Sequence, residues 1–138
     1  MPFTQSAPVR IYYETFGFDE HSDAPVLVLI NGLGGQCISY REEFCRQMSH
    51  VGVRVVRLDN RDVGLSTHLD HLGEPDAGAI LFGEKKPGYW ISDFAADSAA
   101  LVRHLGLHGV HVVGVSMGGM IAQQFAIDHP ELTLTLTS

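Results

Sequence analysis

The stretch Val110-His111-Val112-Val113-Gly114-Val115-Ser116-Met117-Gly118-Gly119-Met120-Ile121-Ala122 carries the information that sets the fold. Val110 to Val115 is an aliphatic run broken by one histidine, as in a strand covered on both faces. Met117 to His129 reads as a helix stopped by Pro130. Gly114-x-Ser116-x-Gly118 joins the two without a spacer, so the chain must bend sharply there. The positions two before and two after the serine then need residues without bulk. The bend is predicted at the C-terminal edge of the sheet, where open α/β sheets bind ligands. The helix starting beside Ser116 aims unbonded N–H groups and its positive dipole end at the same place. That suits the oxyanion formed when Ser116 attacks an acyl carbon. The alternative is a glycine-rich turn that only packs. A phosphate cradle fits less well, because there is no GxxxxGK[ST] and Gly114, Gly118 and Gly119 do not match GxGxxG.

Working outward, Val26-Leu27-Val28-Leu29-Ile30 is a second buried-strand run, ending at Asn31-Gly32-Leu33-Gly34-Gly35. Loops that follow parallel strands converge on one edge of the sheet. Asn31, Gly32 and Gly34 are therefore expected to shape the site with Gly114 and Gly118. The backbone N–H of Leu33 is expected to join that of Met117 as an oxyanion donor; the alternative is a simple helix-start turn. Ser39 to His50 reads as a helix with Tyr40, Phe44 and Met48 on one face, and Val53 to Leu58 as another buried strand. Arg10 to Phe16 reads as a strand, and Asp93 to Leu105 as a helix capped by Ser92. Thr67 to Tyr89 is irregular, and Leu132 to Thr137 alternates like a strand beginning. Strand, helix, strand, helix, strand predicts an α/β fold with a mostly parallel sheet flanked by helices.

Composition narrows the function. The 138 residues suit one domain, and a net charge of −7 argues against nucleic acid or an anionic membrane as partner. No apolar stretch approaches the roughly 20 residues of a membrane span, and the start lacks the features of a signal peptide. Cys37 and Cys45, if on one helix, would lie roughly 12 Å apart, beyond disulfide reach, so free thiols and a cytoplasmic location are expected. The eight histidines are scattered and no metal motif exists, so neither a metal nor a cofactor is expected.

These residues carry a family resemblance that covers nearly the whole chain. Val112 to Ala122, with His129-Pro130-Glu131 behind it, resembles the nucleophile elbow and following helix of α/β-hydrolases. Asn31-Gly32-Leu33-Gly34 resembles their His-Gly-x-Gly oxyanion loop, with Asn31 in place of His. Asp59-Asn60-Arg61-Asp62-Val63-Gly64-Leu65-Ser66 resembles their Asp-x-Arg-Gly-x-Gly-x-Ser loop, with Asp62 where Gly is usual. The likeness is greatest to the small-molecule esterase, aclacinomycin-methylesterase-like and cofactor-free haloperoxidase-like branch. It implies that the strand at Arg10 to Phe16 runs antiparallel. It also implies that Arg61 and Asp62 structure the loop beside the site, the alternative being a solvated ion pair, and that Asp97 is structural.

In this fold the triad order is Ser, then Asp or Glu, then His. Residues 1–138 are therefore expected to be the N-terminal portion of a single domain, ending just after the elbow helix and the start of the next strand. The cap, the triad acid and the triad histidine would lie elsewhere. His129 stands about 13 residues from Ser116, roughly 19 Å along a helix; His68 and His71, in the irregular stretch, are the alternative bases. Without a base Ser116 is a weak nucleophile, so the chain alone is expected to be essentially inactive. A companion chain or self-association is expected to cover the exposed edge near Leu132 to Ser138. The leading function is hydrolysis of a small-molecule carboxylic ester through an acyl-enzyme on Ser116. Perhydrolysis at the same site is the close alternative, and a non-catalytic domain binding a ligand or partner in the same cleft is the other. Tyr89 and Trp90 are candidates for one wall of that cleft, the alternative being a packing anchor.

Overall fold

The computed structural model describes residues 3–4, 9–19, 23–73, 79 and 82–138. Part of the irregular stretch between Thr67 and Tyr89 falls outside these residues. The elements are β1 (Tyr13–Phe16), β2 (Val26–Ile30), α1 (Glu42–His50), β3 (Arg54–Leu58), α2 (Ile91–His104), β4 (Val110–Gly114), α3 (Met117–Asp128) and β5 (Thr133–Thr137). The sheet runs in the order β1-β3-β2-β4-β5. β1 pairs antiparallel to β3, with Tyr13 opposite Leu58, and the β2–β3, β2–β4 and β4–β5 pairings are parallel. The fold is thus α/β with a mostly parallel sheet, as predicted.

Alternation along the strands divides the core between two faces. Val26, Val28, Ile30, Val56 and Leu58 pack with Phe94, Leu101 and Val102 of α2 and Ile121, Ala122 and Phe125 of α3. Leu29 and Val55 point the other way and meet Cys45 of α1, with Tyr40 and Met48 beside them. Burying each such aliphatic side chain contributes about 1.5–3 kcal/mol. The aliphatic runs were legible because β2, β3 and β4 are covered on both sides.

Two boundaries differ from expectation. α1 begins at Glu42, after a 3-10 turn at Cys37–Ser39, so Tyr40 lies outside the helix. Its buried positions are Cys45 and Ser49, with Met48 packed beside them, and Phe44 is exposed. α2 begins at Ile91, so Ser92 lies within it and caps nothing. Asp93 does the capping: its carboxylate accepts the Trp90 N–H at 2.6 Å while its own N–H donates to the Trp90 carbonyl at 3.0 Å.

The strand order places the site. After β2 the chain crosses to β3 on one side; after β4 it crosses to β5 on the other. Such a reversal opens a crevice at the C-terminal ends of the two central strands. Ile30 and Gly114 are register partners there, so residues 31–35 and 115–117 leave the sheet side by side.

Candidate active site

At the end of β4 the two glycines of the bend are required by contact. A Cβ on Gly114 would collide with the Gly118 carbonyl and lie 2.7 Å from the Gly119 nitrogen. A Cβ on Gly118 would strike the Ile30 carbonyl and lie 2.6 Å from the Asn31 oxygen. The first turn of α3 is thus packed directly on the backbone where β2 ends. Ser116 sits at the tip with φ 57° and ψ −125°. Such a conformation costs a non-glycine residue about 1–3 kcal/mol and persists only when its surroundings impose it. The Ser116 residue is exposed. The N–H groups of Gly118 and Gly119 donate to the carbonyls of Val115 (2.9 Å) and Ser116 (2.8 Å). The Met117 N–H, ahead of them, has no acceptor among the described residues.

The loop after β2 presses against the serine. A Cβ on Gly32 would lie 3.0 Å from the Ser116 Cβ and 3.4 Å from its Oγ. The Gly35 N–H closes a turn on the Gly32 carbonyl at 3.1 Å, and Leu33 is exposed at its tip. Asn31, where the resemblance has histidine, is buried and turned inward: its Nδ2 donates to the Gln36 carbonyl at 2.8 Å. The Ile30 carbonyl accepts the Tyr40 hydroxyl at 3.1 Å and the Val115 N–H at 3.2 Å. The structure therefore gathers Asn31, Gly32, Gly34, Gly114, Ser116, Met117 and Gly118 at one edge, with Leu33 between Gly32 and Gly34.

The loop after β3 braces this edge from the side. The buried carboxylate of Asp59 accepts the N–H groups of Cys37 (2.6 Å) and Leu65 (2.9 Å). Burial, then the neighbouring Asp59 charge, pushes the Cys37 thiol up to about 12. The Ser66 hydroxyl donates to the Asp59 carbonyl at 2.6 Å and accepts the Tyr12 N–H at 2.8 Å. Arg61 forms a bidentate pair with Asp97, at 2.7 and 2.9 Å, and its guanidinium lies over the rings of Tyr89 and Phe94, which pack edge-to-face on each other. Burial works against the Arg61 charge, but the Asp97 contact overrides it and holds the guanidinium above its ordinary value. Asp62 adopts φ 63°, the left-handed region that glycine occupies freely. Its carboxylate compensates by accepting the Leu69 N–H and the Tyr89 hydroxyl. Burial, then Asp62, pushes that hydroxyl up to about 12.

Arg61 and Asp62 therefore do structure the loop, each through a different partner. Tyr89, just before α2, anchors this loop through Asp62, whereas Trp90 is exposed. His68 Nε2 lies 3.0 Å from the Gly64 carbonyl, and His111 Nδ1 lies 2.8 Å from Thr135 Oγ1. His129 packs on Phe125 at the far end of α3. Among the described residues no histidine hydrogen-bonds to Ser116, and no cluster of three or more His, Cys, Asp or Glu side chains is arranged to hold a metal. No described helix is long and apolar enough to cross a membrane.

Comparison with known proteins decides the family. Residues 25–138 match the family model described as alpha/beta hydrolase fold. The chain belongs to that family. The chain is 33% identical over 121 residues to rhodomycin D methylesterase DnrP of Streptomyces peucetius, covering 88% of this chain and 36% of that protein. It is 29% identical over 115 residues to the putative non-heme bromoperoxidase BpoC of Mycobacterium tuberculosis, covering 83% of this chain and 37% of that one. The crystal structure of BpoC superimposes with a TM-score of 0.65 at 28% identity, covering 89% of this chain and 38% of that one. A structure from work on carboxylesterases of the thaumarchaeon Nitrososphaera gargenis gives 0.73 at 26% identity, covering 96% and 42%. The chain thus spans less than half the length of the relatives it matches.

Sequence reasoning passed over Asn60, whose buried side chain donates to the Asn31 carbonyl at 3.0 Å. An asparagine after a strand reads as an ordinary turn residue; its place on the site edge was the available signal.

Proposed function

We propose that this hydrolase-fold chain supplies the nucleophile and oxyanion donors of an enzyme that cleaves a carboxylic ester of a small molecule. The observation that carries the reading is Ser116 itself: a serine held at φ 57°, ψ −125° on a tip packed against the end of β2, with its residue open to solvent. A merely structural turn has no need of that strain.

In the proposed reaction Ser116 Oγ attacks the ester carbonyl carbon and its proton passes to a general base. The carbonyl oxygen, now an oxyanion, is met by the N–H groups of Met117 and Leu33. The intermediate collapses, the C–O bond to the alcohol breaks, and the base returns the proton to the departing alkoxide. Water then attacks the acyl-enzyme, releasing the acid and restoring the Ser116 hydroxyl. The base and its orienting acid are proposed to come from outside these 138 residues, on the same or a companion polypeptide. The free edge of β5, with Leu134 and Leu136 exposed, is the proposed surface for that pairing or for self-association.

A fluorophosphonate probe on the complete polypeptide tests the reading. Labelling at Ser116 that vanishes in Ser116→Ala is expected; stoichiometric failure to label favours a domain that only binds ligand in this cleft. The similarity to a putative bromoperoxidase supports a second reading, in which peroxide replaces water at the acyl-enzyme. Halide oxidation dependent on both acetate and peroxide separates the two.

A further inference from the structure

We propose that Asn60 is a positioning residue for the oxyanion loop, an inference that rests on the reading of Ser116 as the nucleophile. Asn60 lies two residues past β3 and its residue is 2% exposed. Its Nδ2 donates at 3.0 Å to the carbonyl of Asn31, the first residue beyond β2. That same carbonyl faces Gly118, where an added Cβ would lie 2.6 Å from the oxygen. The Asn31 oxygen is therefore held between the Asn60 amide and the first turn of the elbow helix.

Peptide planarity turns this contact into control of the site. A peptide unit is rigid, so fixing one carbonyl fixes the N–H of the next residue. Asn60 pins the unit from Asn31 to Gly32 at its oxygen. The Gly35 N–H, at 3.1 Å from the Gly32 carbonyl, pins the next unit, from Gly32 to Leu33. Two consecutive planes are thus set, and the second carries the Leu33 N–H. Between them stands Gly32, which is in contact with Ser116 and has no side chain to hold its own torsions. Without the Asn60 amide the Asn31 carbonyl loses its buried donor, and the first plane is free to tilt about Gly32. The Gly32–Gly35 turn, held to itself by the Gly35 N–H, is carried along as a unit, and the Leu33 N–H shifts away from the developing oxyanion. Asn60 touches neither substrate nor Ser116; it acts through Asn31 and Gly32.

Two variants of the complete polypeptide test this: Asn60→Ala, which removes the donor, and Asn60→Ser, which keeps a shorter one and is the less disruptive to folding. Rates are normalised to the sites titrated by a fluorophosphonate probe, so loss of folded protein does not count as loss of function. For a neutral p-nitrophenyl ester, Asn60→Ala is expected to lower kcat about tenfold with KM within about twofold, and Asn60→Ser to fall between it and the parent. Affinity for a trifluoromethyl ketone, which forms an oxyanion on the serine, is expected to fall by the same factor as kcat. The inflection in the pH profile of kcat/KM, set by the base, stays where it is. Unchanged kcat, or a KM increase with kcat intact, overturns the inference while leaving Ser116 as nucleophile. A parent protein that the probe does not label overturns the nucleophile reading, and this inference with it.

Discussion

Replacing Gly118 and, separately, its neighbour Gly119 with alanine gives two outcomes that differ in size if the bend is packed as described. Within a helix the change from glycine to alanine is worth about 1 kcal/mol in favour of alanine. At Gly119 the new Cβ would meet the Ser138 Cβ at 3.3 Å and the Gly114 carbonyl at 3.4 Å, a tight but tolerable fit. The helix gain and the contact penalty nearly offset, and Gly119→Ala is expected to stay within about 0.5 kcal/mol of the parent. At Gly118 the obstacles are backbone atoms of Ile30 and Asn31, with the Asn31 carbonyl carbon at 2.8 Å. They belong to the end of a central strand and cannot rotate aside as a side chain does. Forcing a methyl group into such a contact costs about 1–3 kcal/mol or more, which exceeds the helix gain. Gly118→Ala is therefore expected to be the less stable of the two by at least about 1 kcal/mol. Urea denaturation followed by far-UV circular dichroism measures this as a lower midpoint at unchanged slope. Equal midpoints for the two variants would refute the packing of the elbow on β2, and with it the geometric basis for placing Ser116 beside Gly32.

Three further outcomes follow from the same structure. The thiol of Cys37, buried and raised to about 12, and that of Cys45, raised by burial, are expected to ignore a thiol-reactive chromogen at pH 8 until the chain unfolds; rapid reaction in the folded state refutes that burial. Burial opposes the charge of Glu14, but the Tyr12 hydroxyl and Arg57 outweigh it and hold the carboxyl below its ordinary 4.5. The folded chain then keeps Glu14 ionised where the unfolded chain has taken up a proton, so stability is full above about pH 5 and falls as pH drops through the folded value; Glu14→Gln should flatten that acid limb, and an unchanged limb refutes the assignment. Light scattering is expected to show the 15.1 kDa chain associating, with Leu136→Lys on the free edge of β5 reducing the association; a strictly monomeric parent rejects that pairing surface.

What the sequence revealed depended on the range of the interaction involved. β2 was legible to the residue, because Val26 to Ile30 is covered on both faces and the hydrophobic run itself encodes that. Gly114 and Gly118 were legible because a sharp bend excludes side chains there whatever surrounds it. Arg61 was expected to act on the loop, yet its partner Asp97 lies 36 positions away on α2, and no local pattern announces such a pairing. The start of α2 was misplaced because serine is the commoner cap, whereas here Asp93 reaches back to Trp90. Asn60 escaped notice because its importance comes from the crossing that brings the ends of β2 and β3 together, a property of topology rather than of its neighbours in sequence.

Among the described residues, two non-glycine residues adopt positive φ, Asp62 at 63° and Ser116 at 57°, and both stand on the same edge of the sheet. Their strain is handled differently, and the difference separates support from function. Asp62 offsets its conformation with two hydrogen bonds to its own carboxylate, so Asp62→Gly removes strain and bonds together. Hydrogen bonds to a charged group contribute about 1.5–3 kcal/mol each, more than the strain of one left-handed residue, and a net loss of stability follows. Ser116 makes no capping bond with its side chain, so nothing at that position repays its φ and ψ. Ser116→Gly should then stabilise the chain, by about 1 kcal/mol after the entropy cost of a new glycine is taken off the 1–3 kcal/mol of strain. Denaturation midpoints moving in opposite directions for the two variants are the expected result. A Ser116→Gly variant less stable than the parent would mean that the hydroxyl is held by the fold, leaving it no freedom to attack.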